Sequence, residues 1–136
     1  MHSSRIHFIH PIHNIMRHYF LILFLLLSSM QLYANQEQVI IMTPKGGIHS
    51  GQPLFPADQP SVYYNDVTQQ IIIDGTGEAT YYDVEITSMS TFYVVLSTQV
   101  NGNYDTIDVS SLPDDNYEIV ITSSLNNEYL GYFTNY

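Results

Sequence analysis

Alternation at period two runs through nearly all of the chain after residue 35, and it restricts the fold more than any other feature. In "TYYDVEIT", Tyr82, Val84 and Ile86 alternate with Asp83, Glu85 and Thr87, and in "YEIVIT" Tyr117, Ile119 and Ile121 oppose Glu118, Val120 and Thr122. "YDTIDV" likewise sets Ile107 and Val109 on one side. Successive side chains of a strand point to opposite faces, so such runs are half-buried strands with one wet face. "QVIIMT" (38–43), "SVYYND", "QQIIID" (69–74), "TFYVVLST" and "EYLGYF" extend the series. About seven strands at spacings of roughly ten residues, with no helical period among them, predict an all-β antiparallel sandwich of immunoglobulin-like type. The chain has neither Cys nor Trp, so the antibody signature is absent and no disulfide can staple the domain.

Gly, Pro and Asn divide the strands. "GGIHSGQPLFPADQP" (46–60) reads as a loop or an irregular edge. "NGN" at 101–103 supplies an Asn-Gly pair between two β-rich runs, which predicts a hairpin. "DGTGEAT" (74–80) holds a lone G-x-G, but a strand and not a helix follows, so it reads as a hairpin turn and not as a phosphate loop.

The N-terminus is of another kind. "MHSSRIHFIHPIHNIMRH" has two arginines and no acid, and the apolar run Tyr19–Leu27 follows it. This order predicts a secretory signal peptide over 1–34, cleaved after Ala34. No cysteine follows the apolar run, which excludes a lipoprotein anchor. Reading from Met16 gives a more compact signal, so Met16 is the expected initiator. Five of six histidines (His2, His7, His10, His13, His18) fall in this leader. Residues 35–60 then form an N-terminal strand and Gly/Pro-rich loop, and 61–136 the sandwich. Beyond the leader one base, Lys45, stands against 13 acids, leaving −12. Such a surface repels nucleic acid and anionic lipid, so the expected membrane encounter is export alone.

"SSLPDDNYEIVI" (110–121) is the stretch that most resembles a site. Pro113 fixes its own φ, while Asp114, Asp115 and Asn116 suit a turn. Leu112, Pro113 and Tyr117 therefore predict a tyrosine corner, with the aspartates as its solvated turn. The competing reading is a calcium site of Asp108, Asp114 and Asp115, although the loop pattern of known calcium sites is not met. Catalysis has few candidates: beyond the leader only His49, beside Ser50, could serve a triad or a zinc ion. The carboxylates fall at outward or turn positions. No catalytic residue, cofactor or resident metal is expected. The pairs Tyr63-Tyr64 and Tyr81-Tyr82 place some rings outward, where they could meet a sugar or a protein.

The run from "QQIIIDGTGEATYYDVEIT" through "DTIDVSSLPDDNYEIVIT" to "YLGYFTNY" resembles a family of small exported proteins of Bacteroidetes-type bacteria, a domain of unknown function with an immunoglobulin-like fold. Val84 and Ile86, the corner strand, and Leu130, Gly131 and Phe133 carry the resemblance, which covers about residues 60–136. Two departures stand out. Asp114-Asp115-Asn116 occupies a turn where the family usually has Gly, and "TSMSTF" lacks the Gly usual between the third and fourth strands. The resemblance implies export and fold and transfers no catalytic residue. The same corner is similar to type IX secretion C-terminal sorting domains, although the tail "GYFTNY" has no base.

The sequence thus describes an exported protein, periplasmic, on the cell surface or secreted. It is expected to be a non-catalytic binding or accessory module whose partner is a protein or a surface glycan. The alternative is an assembly subunit that adds strands at a sheet edge, with segment 38–55 as the strand to exchange.

Overall fold

A computed structural model describes residues 10–31, 37–46 and 56–136, with side chains of the leader described over 14–27. The chain divides into two units, Met1–Ala34 and Asn35–Tyr136. The first contains helix α1, His10–Gln31, whose described side chains are all exposed. Met16 lies within α1, while the expected cleavage point after Ala34 lies outside the described residues. Among the described residues no helix is long and apolar enough to cross a membrane.

The second unit is built of nine described strands: β1 (Glu37–Ile40), β2 (Thr43–Pro44), β3 (Ser61–Asn65), β4 (Gln70–Asp74), β5 (Tyr81–Ser88), β6 (Val94–Asn101), β7 (Tyr104–Asp108), β8 (Asp115–Ser123) and β9 (Glu128–Asn135). They form two antiparallel sheets, ordered β1-β3-β4-β7 and β2-β9-β8-β5-β6. The single N-terminal strand expected over 38–43 is two strands, because Ile41–Met42 carries the chain from one sheet to the other. Pro44 sits in the two-residue edge strand β2, where its missing N–H interrupts no central ladder.

The inner faces are those the alternation marks. Tyr82, Val84 and Ile86 of β5, and Tyr117, Ile119 and Ile121 of β8, are buried against Val62, Tyr64, Ile71 and Ile73 of the opposite sheet. Ile107 and Val109 are buried as the sequence reading places them. Four buried tyrosines, Tyr64, Tyr82, Tyr117 and Tyr129, supply much of the core volume in a chain without Trp. Each phenol keeps a hydrogen-bond partner, as a buried hydroxyl must.

Two expected hairpins are not hairpins. β4 and β5 lie in different sheets, and so do β6 and β7, so both 75–80 and Gly102–Asn103 are crossings between layers. They pass against each other. The Gly75 amide donates to Asn103 O at 2.6 Å, and the Gly102 amide to Thr80 O at 3.1 Å. A Cβ on Gly75 would lie 1.8 Å from Gly102 O, and one on Gly102 would lie 2.0 Å from Ala79 O. The Asn-Gly pair that signals a tight turn therefore serves close backbone approach.

Candidate functional site

The corner is assembled from the residues that the sequence picks out. Tyr117, 1% exposed, donates its hydroxyl to Pro113 O at 2.5 Å, and its ring stacks on Phe133 with centroids 5.3 Å apart. Leu112 is half-buried against the core, and its carbonyl accepts from Asn135 Nδ2 at 2.9 Å. Asn135 Oδ1 in turn accepts from the Tyr64 hydroxyl at 2.5 Å, tying the corner to the facing sheet. Burial raises the Tyr117 pKa, with Asp115 and Asp114 adding to the effect. The phenol is therefore a donor at all moderate pH.

The three aspartates have separate tasks. Asp108 Oδ1 accepts from the Ser110 amide at 2.9 Å, and Asp114 is exposed. Asp115 is not simply solvated turn. It begins β8, and its Oδ2 accepts from Ser88 Oγ at 2.5 Å and Ser90 Oγ at 2.6 Å. These bonds hold its pKa below the ordinary carboxylate value. Among the described residues no group of three His, Cys, Asp or Glu is placed to hold a metal ion. His49 and Ser50 lie outside the described residues.

What Asp115 braces is the turn from β5 to β6. The Met89 amide donates to Asn116 O at 2.9 Å, and the Phe92 amide to Ser88 O at 2.8 Å. Phe92 has φ of +61°, a left-handed conformation that costs a bulky L-residue about 1–2 kcal/mol. Its side chain gains no burial in exchange, being 78% exposed, and Tyr93 beside it is 75% exposed. Here the departure visible in "TSMSTF" becomes physical: an aromatic occupies a left-handed position suited to Gly. Met89, Val94 and Val95 are exposed in the same stretch.

At the other end of β8 lies a polar cluster that sequence reading missed. Asp58 is 2% exposed and forms no ion pair among the described residues, yet its carboxylate is engaged by several donors. Tyr129 OH donates to Oδ1 at 2.6 Å, Asn127 Nδ2 reaches both oxygens at 3.1 and 3.0 Å, and Ser123 Oγ donates to Oδ2. Tyr82 OH donates to the Asp58 carbonyl at 2.9 Å. Burial alone pushes this carboxyl up, but the bonds from Ser123, Tyr129 and Asn127 outweigh it and hold the pKa below the usual value. With its oxygens engaged by structural donors, Asp58 ties its segment to the β8–β9 hairpin.

A cleft of about 510 Å³ opens beside Val39, Ile41, Pro56, Pro60, Tyr63 and Thr76. Its described lining contains no carboxylate, Lys, Arg or histidine; Tyr63 is its one titratable side chain. The tyrosine pairs divide as strand geometry requires: Tyr64 and Tyr82 are buried, Tyr63 is half-buried and Tyr81 is exposed.

No protein-family profile matches the sequence, and no curated protein does. Among solved structures, the chain is similar to a DUF3244 family protein with an immunoglobulin-like β-sandwich fold from Bacteroides vulgatus ATCC 8482. The two share 17% identity with a TM-score of 0.58, over 74% of this chain and 99% of that one. The fold of the described residues of the second unit is thus an immunoglobulin-like β-sandwich, similar to a protein from a domain-of-unknown-function family, as the motif resemblance implied.

Proposed function

We propose that this is an exported, non-catalytic β-sandwich that works as a binding or accessory module, meeting a protein or surface glycan through the turn that carries Phe92 and Tyr93. The exposure of Phe92 in a strained conformation carries this reading. An exposed aromatic held at a backbone cost contributes nothing to folding, and such strain clusters where recognition occurs. The absence of carboxylates and histidine from the described cleft lining and the engagement of Asp58 by structural donors support a non-catalytic role. Export rests on the leader, and the mature chain would begin at Asn35.

A photoreactive phenylalanine analogue at Phe92, introduced in exporting cells, tests the reading. Cross-linking to an envelope protein or glycan from position 92, absent when the probe replaces Thr122 on the middle of the same sheet, is the expected result. No adduct from position 92 would overturn it. Strand exchange by segment 38–55, by contrast, loses its basis where that segment is described. Residues 37–40 pair in register with β3, Val39 opposite Tyr63, and β2 pairs with β9.

A further inference from the structure

We infer that β6 is an acceptor edge, at which an extended, basic segment of another protein adds itself to the five-stranded sheet. This rests on the binding-module reading and names the partner chemistry for it. The described strands leave four sheet edges, and three are blunted in ways that discourage pairing. β2 is two residues long and contains Pro44; β1 is four residues and begins with Glu37; β7 carries Asp105 and Asp108. β6 lacks these defences except at its end, where the Asn101 amide donates to Asp105 Oδ2 at 3.0 Å. It runs eight residues, Val94–Asn101, with β5 on one side only, and it lies inside the longest uncharged stretch of residues 35–136, from Ile86 to Tyr104. The one irregularity, between Ile86 and Thr87 opposite the start of β6, leaves Leu96–Asn101 in regular register with β5. Phe92 and Tyr93 stand exposed where that edge begins.

Charge decides the occupant. On the outer face Glu85 pairs in register with Ser97, and Asp83 with Gln99, while Glu118 lies opposite Thr87 one strand further in. Lys45 is the one Lys or Arg of residues 35–136, and it is engaged with Glu128 at 3.4 Å. Asp83 receives Gln99 Nε2 at 2.9 Å, a neutral donor, so within the second unit the one Lys serves Glu128, and among the described residues neither Asp83 nor Glu85 forms an ion pair. A strand added at β6 would lie about 10 Å from β5, two strand spacings away. Across the small Ser97, a Lys or Arg on its outer side reaches Glu85 over that distance. A second copy would bring another uncharged β6 and a further −12, setting two acidic faces side by side. A segment alternating Lys or Arg with apolar residues fits both requirements. Its backbone completes the ladder, and its cations meet Asp83 and Glu85.

The test uses the full chain and two ten-residue probes, one alternating Lys with Val and one alternating Glu with Val. The expected result is binding of the Lys peptide only, with slowed hydrogen exchange at amides of 94–101 and at least tenfold weaker binding by Glu85→Lys. Ser97→Pro, which removes an amide that points away from β5, should also abolish binding; because that variant could misfold, Val95→Lys provides a second edge block on an exposed side chain. Equal binding of both peptides overturns the inference. So does Lys-peptide binding that leaves amides 94–101 unprotected, which would be adsorption to an acidic surface. Protection that rises with protein concentration without peptide overturns it in favour of a second copy. If cross-linking from position 92 succeeds while both peptides fail to bind, the module reading stands and strand addition falls. If both fail, both fall.

Discussion

Two residues show best how local conflict separates structure from recognition. Phe92 breaks a backbone rule without gaining burial, whereas Tyr117 satisfies every rule its position sets. Phe92→Gly should therefore stabilise the domain by about 1 kcal/mol through relief of the left-handed strain. That gain should appear as a Tm several degrees higher in thermal denaturation, together with weaker partner binding. Tyr117→Phe should do the reverse. It removes the donor to Pro113 O and costs about 1–2 kcal/mol, read as a lower urea midpoint. The Leu-Pro…Tyr spacing made this corner legible, because its parts lie within six residues of one another. Asp115 was only half legible: its acidity invites a site, but its partners Ser88 and Ser90 belong to another strand.

At the level of elements, alternation specified which face of each strand is buried, and β5, β7 and β8 follow it residue by residue. What it could not specify is which strands share a sheet. Period two is the same whether a Gly-bearing link turns back in one sheet or passes to the other, so 75–80 and 101–103 read as hairpins. The distinction depends on contact between Gly75 and Gly102, which are far apart in sequence. It is also testable. In an Asn-Gly hairpin with both central residues left-handed, Gly102→Ala would cost about 1 kcal/mol. At a crossing where the added methyl meets Ala79 O at 2.0 Å, the cost should be nearer 3 kcal/mol, measured by chemical denaturation.

For the whole molecule, stability should depend on pH in a way set by its buried acid and its tyrosines. Asp58 has a folded pKa below its unfolded value, so its contribution is fully present above about pH 4 and is lost as pH falls through the folded value. The domain's −12 charge acts in the opposite sense, since acidification relieves repulsion, but it is spread over an exposed, screened surface. The urea midpoint of the wild type should therefore fall below about pH 4. Asp58→Asn should be less stable at neutral pH by about 3 kcal/mol, with a flatter acid limb. Burial raises Tyr64, Tyr82, Tyr117 and Tyr129, so their contribution holds below about pH 10 and is lost as pH climbs through the raised values. No sequence signal pointed to Asp58. Its donors Ser123, Asn127 and Tyr129 lie 65 to 71 residues away.

That distance gives the cluster a further meaning. Joining position 58 to the β8–β9 hairpin closes a long loop, as a disulfide does in many exported domains. Here the closure is made by one carboxylate and three side-chain donors, in a chain without cysteine. Such a fastening needs no oxidant to form and no isomerase to correct, and thiol reductants leave it intact. The domain is free to complete its fold in a compartment of any redox potential, and acidity is the condition that loosens it.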